Sequence, residues 1–234
     1  PVQVKKKKKR KRPKPDQTFS SAASILFLVI TLLAIVGPPL YAQTGSEHRV
    51  PKPPSAYLQT FEDIARLQLE EAGRKLDSLR TTDFANHPLL SFLEQYVAFF
   101  PALLDEDPDY YRALSEQLDD RLEQMEHDGR HAAWSNYCRG EALLQAAFLD
   151  LKFEHYFRGI RHLRKAVQLL EKNASDYPGF SGTYKSLGLL HALAATVPKQ
   201  WRWGVRWLSG IEGDLRAGMR EMKLAVASNP NRYI

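Results

Sequence analysis

The chain has 234 residues, of which 33 are Lys or Arg and 27 are Asp or Glu, giving a formal charge of +6 and a pI near 9.3. Nine of those cations lie between Lys5 and Lys14 and Asp16 is the sole acid before Gln43, so from Gln43 onward 24 basic groups stand against 26 acidic ones, a net of −2. The basic pI therefore belongs to the N-terminal segment and excludes a nucleic-acid footprint spread over the folded part, while the lone Cys138 excludes an intrachain disulfide and a thiolate metal site.

Residues 1–42 read as an export leader. A cationic stretch precedes an apolar run from Ala22 to Val36, breakers follow at Gly37, Pro38 and Pro39, and Leu40-Tyr41-Ala42 offers a cleavage site before Gln43. A run of 15 residues falls short of the roughly 20 that cross a bilayer as a helix, which favours cleavage after Ala42. Leu40 is large for its place in such a site, so retention as an N-terminal membrane anchor is the alternative. Either way the Lys-rich end stays cytoplasmic and the remainder is exported, to the periplasm or cell envelope. The start at Pro1 and the end at Ile234, just past Pro230, suggest that the reading frame continues at both ends.

Residues 43–54, closing on Pro51-Lys52-Pro53-Pro54, form a linker. Beyond it the periodicity is helical throughout, with no strand-like alternation of useful length. Leu58, Phe61, Ile64, Ala65, Leu69, Ala72 and Leu76 recur at three and four residues, predicting a helix from Ser55 to about Arg80. His87-Pro88 opens a second helix that Pro101 should kink late. Asp107-Pro108 opens a third, running to about His127, with Asp as cap and Pro in the first turn. The same capping explains the acidic loop Asp105, Glu106, Asp107 and Asp109 better than calcium does, since the Gly and distant Glu of an EF-hand loop are missing. After Gly129, Ala132–Leu151 pairs with Tyr156–Ala174, with Ala147, Gly159 and Ala166 as small residues where two helix backbones must approach. Tyr177-Pro178-Gly179 closes that hairpin.

From Tyr184 to Pro230, small and aromatic residues recur at the spacing of a tetratricopeptide repeat (TPR), a 34-residue helix-turn-helix unit. Tyr184, Leu187, Gly188 and His191 fit its first helix; Gly213, Leu215, Gly218, Met222, Ala225 and Pro230 fit its second. His191 stands where the repeat usually has Tyr. About 18 residues are inserted between the two helices, near 194–211. On these residues the chain resembles exported TPR proteins of Gram-negative bacteria over roughly Ser55–Pro230, and Leu187 to His191 with Trp203-Gly204-Val205 and Gly213 is similar to the interrupted repeat of outer-membrane-associated members. The resemblance implies an all-α fold of antiparallel hairpins stacked as a TPR-like α-solenoid. It also implies a non-catalytic scaffold whose first helices line a groove for a protein or peptide, with Tyr184, Lys185 and His191 facing it. A non-repetitive helical bundle is the competing architecture.

The insertion holds three of the four tryptophans within seven residues, Trp201, Trp203 and Trp207, alongside Lys199, Arg202 and Arg206. As a helix it would set Trp203 and Trp207 on one face at i, i+4, with Arg202 and Arg206 beside them. Large aromatics usually bury, so the favoured expectation is that they pack the insertion against the helical stack. The alternative is a basic aromatic helix at the groove's edge that grips an acidic partner or lies on an anionic membrane. With an uncleaved leader, that would make a membrane-surface protein. Charge also divides along the chain, −10 over 43–128 and +8 over 129–234. His127 and His131 stand four apart without an evident third ligand, and His155 and His162 could share a helix face; no metal or cofactor is implied. No nucleophile elbow, phosphate loop, metalloprotease helix or nucleotide fingerprint occurs, so no catalytic residue is assigned.

Overall fold

The computed structural model describes residues 55–227, apart from the Trp201 side chain, and within them the chain is helical without strands. The leader, the linker and Pro230 lie outside the described residues. Two helices, α1 (Ser55–Ala65) and α2 (Leu69–Leu79), stand where one was expected to run from Ser55 to about Arg80. The break lies at Leu67, which adopts a left-handed φ of 59°, and Gln68 N donates back to Asp63 O at 2.8 Å. A bond of that reach satisfies a terminal carbonyl of α1, as a Gly-ended helix normally does, but here without a glycine to announce it.

α3 (Pro88–Leu104) begins as expected: Pro88 sits in the first turn and His87 Nδ1 accepts from Leu89 N at 3.1 Å. The helix continues through Pro101 to Leu104. The predicted helix from Asp107 to about His127 is also divided, into α4 (Pro108–Glu116) and α5 (Leu118–Gln124), where Gln117 interrupts the ladder at φ −86°, ψ −4°. Asp107 Oδ1 caps α4 by accepting from Asp109 N at 2.8 Å, and Glu106 pairs with Lys152 at 2.7 Å, so two of the loop's acids are committed to capping and ion pairing. A short 3-10 turn (Gly129–His131) leads into α6 (Ala132–Lys152), followed by α7 (Tyr156–Asp176), α8 (Ser181–Thr196), α9 (Lys199–Ser209) and α10 (Leu215–Ala227).

The helices pair as hairpins. α6 and α7 run antiparallel, with Gly159 against the Ala147 carbonyl and Gly140 against Leu170. α8 and α10 do the same across the insertion: a Cβ at Gly188 would meet Gly218 O at 2.7 Å, and His191 Nδ1 lies 2.7 Å from Glu221 Oε2. Backbones this close need glycine on both sides, which is why Gly188 and Gly218 matter. α4 and α5 fold back along α3, with Tyr110 donating to Ala98 O and Arg121 to Gln95 Oε1. α2 returns beside α1 through Lys75 and Asp63 at 2.5 Å.

The first helix of each hairpin runs in the same direction as its neighbour. Tyr57 and Phe61 of α1 meet His87 and Tyr96 of α3; Phe92 and Phe99 of α3 meet Tyr137 and Phe148 of α6; Lys185 and Ser186 of α8 meet Tyr137 and Glu141 of α6. These ring contacts make an aromatic seam through the core, ending at the fully buried Trp134 and Phe180, whose centroids are 4.9 Å apart. One consequence is that the turns after α1, α3 and α6 all lie at one end of the molecule. Each contains a non-glycine residue in the left-handed region: Leu67, Glu106 and Glu154, with φ of 59°, 55° and 64°.

Candidate functional site

The insertion forms the helix α9, which sets Trp203 and Trp207 one turn apart. It is anchored by Ile211 just beyond it, buried in the core, and by Ser209 and Val205, and it packs chiefly on α7 with less contact to α8. Gly210, at φ 82°, terminates the helix in a left-handed cap. The expected burial of the tryptophans is overturned: Trp203 and Trp207 are 70% and 72% exposed. The physical reason is register, because Val205 and Ser209 occupy the side of α9 that meets the stack and Trp203 and Trp207 therefore fall on the opposite side. Trp201 is in the same helix, its side chain outside the described residues.

The two arginines do different things. Arg202 turns back over the end of α8, donating from Nε to Val197 O at 2.8 Å and from Nη2 to Ala195 O at 2.7 Å, and so supplies donors to carbonyls where that helix ends. Arg206 remains at the surface, 3.1 Å from Glu212 in a solvent-exposed pair.

Tyr184, Lys185 and His191 lie together on α8 but in different settings. Tyr184 is half-buried, and burial together with Glu221 pushes its phenol upward. Lys185 reaches across to α6, donating to Tyr137 Oη at 3.3 Å and standing 3.7 Å from Glu141, which is itself buried and accepts from Ser186. His191 spans from α8 to Glu221 on α10. Lys185 thus joins two first helices, and His191 joins the two halves of the interrupted hairpin.

A second polar centre, not anticipated from the sequence, lies at the α6–α7 turn. Asp150 is buried and accepts from Tyr111 Oη, Arg158 Nε and His162 Nδ1, each at 2.7 Å. Burial alone would raise its pKa, but the bonds from His162 and Tyr111 and the Arg158 charge outweigh it and hold the carboxyl below its usual range. The Tyr111 ring stacks on Phe153 at 4.1 Å and on His155 at 5.6 Å, forming one wall of an open cleft of about 520 Å³ with Arg112, Ser115 and Arg158. Both carboxylate oxygens are occupied in tying α4, α6 and α7 together, so the centre acts as a knot rather than as a free acid or base. The signal was faint, a lone Asp near the end of an apolar helix.

The histidine pair acquires a neighbour. His87 lies 4.7 Å from His131 and His131 lies 6.4 Å from His127, between ring centroids. His87 already spends Nδ1 on capping α3, and Arg130 Nε donates to His131 Nε2 at 3.0 Å. Among the described residues, no group of three or more His, Cys, Asp or Glu is gathered as metal ligands. Burial raises the Cys138 thiol well above its ordinary value, leaving it unreactive. Among the described residues, no helix is long and apolar enough to cross a membrane.

The sequence reading also passed over Tyr156 and Phe157, which open α7 with both rings exposed, Phe157 at 93%. Their signal was available: from His155 to Leu170 the sequence contains no acid and has bases at Arg158, Arg161, Arg164 and Lys165. Comparison with known protein families, with curated proteins and with solved structures finds none that matches this chain.

Proposed function

We propose that this chain is a non-catalytic interaction scaffold of the bacterial cell envelope, built as a TPR-like α-solenoid that receives a protein or peptide on the surface of its first helices. The observation that carries the reading is the common direction of α1, α3, α6 and α8, each followed by a returning partner and joined through an aromatic seam. Hairpins related in this way present a continuous surface made of equivalent helices, the geometry on which solenoids bind extended ligands. The interlocked Gly188 and Gly218 support the same reading, because they close the last hairpin at the two repeat positions despite the insertion. Tyr184 is the contact residue on this surface, the largely buried Lys185–Glu141 pair holds α8 against α6 beneath it, and His191 steadies the hairpin behind it. The envelope location rests on the leader.

The test is site-specific photocrosslinking in intact cells, with a photoreactive phenylalanine analogue at Tyr184 and, as a control, at Gln168 on the exposed side of α7. A discrete adduct from position 184 and none of that mass from 168 supports the scaffold. Identical adducts from both positions, or none from 184 in a folded variant, would sink it. N-terminal mass spectrometry of the fractionated protein checks the location: the scaffold should be recovered from the envelope, and recovery from the cytoplasm would exclude it.

A further inference from the structure

The second-helix side of the molecule leaves large aromatic rings exposed. α9 lies against α7, and the start of α7 shares one end of the molecule with the end of α8, from which α9 departs. From these two neighbouring helices Phe157, Trp203 and Trp207 project into solvent at 93%, 70% and 72% exposure, joined by the exposed Tyr156 and Leu208. Neither stretch, 155–170 nor 198–211, contains an acid. Arg161 and Arg164 of α7 and Lys199 of α9 are exposed on the same two helices. Exposed apolar rings of this size are costly to leave in water unless something covers them.

We propose that the face formed by the N-terminal half of α7 and by α9 docks onto an anionic lipid bilayer. Charge selects this occupant: the acid-free N-terminal part of α7 and α9, with exposed aromatic rings and cations on both, complement a surface that offers anionic headgroups and an apolar layer beneath them. Trp and Tyr suit the headgroup level, where one end of the ring is apolar and the other wet, and Phe157 can reach the acyl boundary. The rings protrude instead of lining a groove, as side chains do that enter a soft phase. Arg202 contributes indirectly, since its bonds over the end of α8 hold α9 in place. Docked so, the protein rests on its second helices and leaves the first-helix surface open to a partner. The inference stands on this face alone and does not depend on the scaffold reading.

The test uses the full chain, whose Lys-rich leader will itself attract anionic lipid, so the comparison is between variants that share the leader. Wild type and the double variant Trp203→Ala/Trp207→Ala are titrated with vesicles of equal parts phosphatidylglycerol and phosphatidylcholine, and with phosphatidylcholine alone. A parallel series carries bromine on the acyl chains to quench tryptophan. The proposal expects a partition coefficient on anionic vesicles at least tenfold lower for the double variant, with the wild type quenched by brominated lipid and the variant's quenching largely lost. Phe157→Ala, altering one ring in an exposed first turn, guards against misfolding and should lower partition severalfold with an unchanged unfolding midpoint. Equal partition of all three proteins, with no quenching by brominated lipid, would overturn the proposal and leave lipid binding to the leader. So would loss of an acidic protein partner in the double variant with lipid partition unaltered.

Discussion

Holding His87 unprotonated should cost the fold about 2 kcal/mol at pH 5. The side chain is buried between Tyr57, His131 and Trp134, and its Nδ1 must be unprotonated to accept the Leu89 amide at the start of α3. Burial first, then His131, His127 and Arg130, depress its pKa from 6.5 to about 3. Since the folded value lies below the unfolded one, the unfolded chain takes up the proton first as pH falls. Stability is therefore full above about pH 6.5 and is lost progressively toward pH 3. At pH 5, some 1.5 units below the unfolded value, the loss is about 2 kcal/mol at roughly 1.4 kcal/mol per unit. Urea unfolding followed by helical circular dichroism at pH 7.5, 6 and 5 reads it directly. His87→Asn keeps an acceptor at the cap but does not titrate, so its stability should fall about 2 kcal/mol less than wild type's over this range. His131, also depressed by burial, will leave a smaller slope of the same sign in both proteins. An Asn variant with the wild-type slope would refute the assignment to His87.

Two substitutions test the backbone logic of the hairpins. Gly218→Ala should destabilise by about 2 kcal/mol, because its Cβ would press on the Gly188 carbonyl and on Ala192 N at 2.8 Å, outweighing the roughly 1 kcal/mol that Ala gains over Gly in a helix. Gly73→Ala, with nothing within 4 Å, should instead gain up to about 1 kcal/mol; equal effects in urea unfolding would remove the close-packing argument. Glu154→Gly should raise stability by roughly 0.5–1 kcal/mol by relieving a left-handed residue at φ 64°, read as a higher thermal midpoint, and a lowered midpoint would show that the turn is not strained.

What the sequence disclosed and what it withheld divide on physical lines. The starts of α3 and α4 were legible because His87-Pro88 and Asp107-Pro108 write their capping chemistry in adjacent residues. The pairing of α6 with α7 followed from small-residue spacing, whereas the insertion offered a helical face only on the condition that it was a helix. The break at Leu67 was invisible, since a left-handed residue normally announces itself as Gly or Asn and this one is Leu. Gln117 is equally silent: nothing in its type forbids a helix. Residue size alone predicts buried tryptophans, whereas the position of Val205 and Ile211 turns Trp203 and Trp207 outward. Asp150 could not be recognised from the chain alone, because Tyr111 reaches it from 39 residues away and Arg158 from across the α6–α7 turn.

The interlocked glycines of α8 and α10 have an evolutionary corollary. A hairpin fastened by backbone contact no longer depends on its loop, and lengthening a four-residue connection to about 18 costs only about 1 kcal/mol of closure entropy. The segment between those helices is therefore a socket in which new recognition surfaces can be exchanged while the supporting pair stays intact. Diversity among chains built on this plan should concentrate there, with the two glycines held fixed.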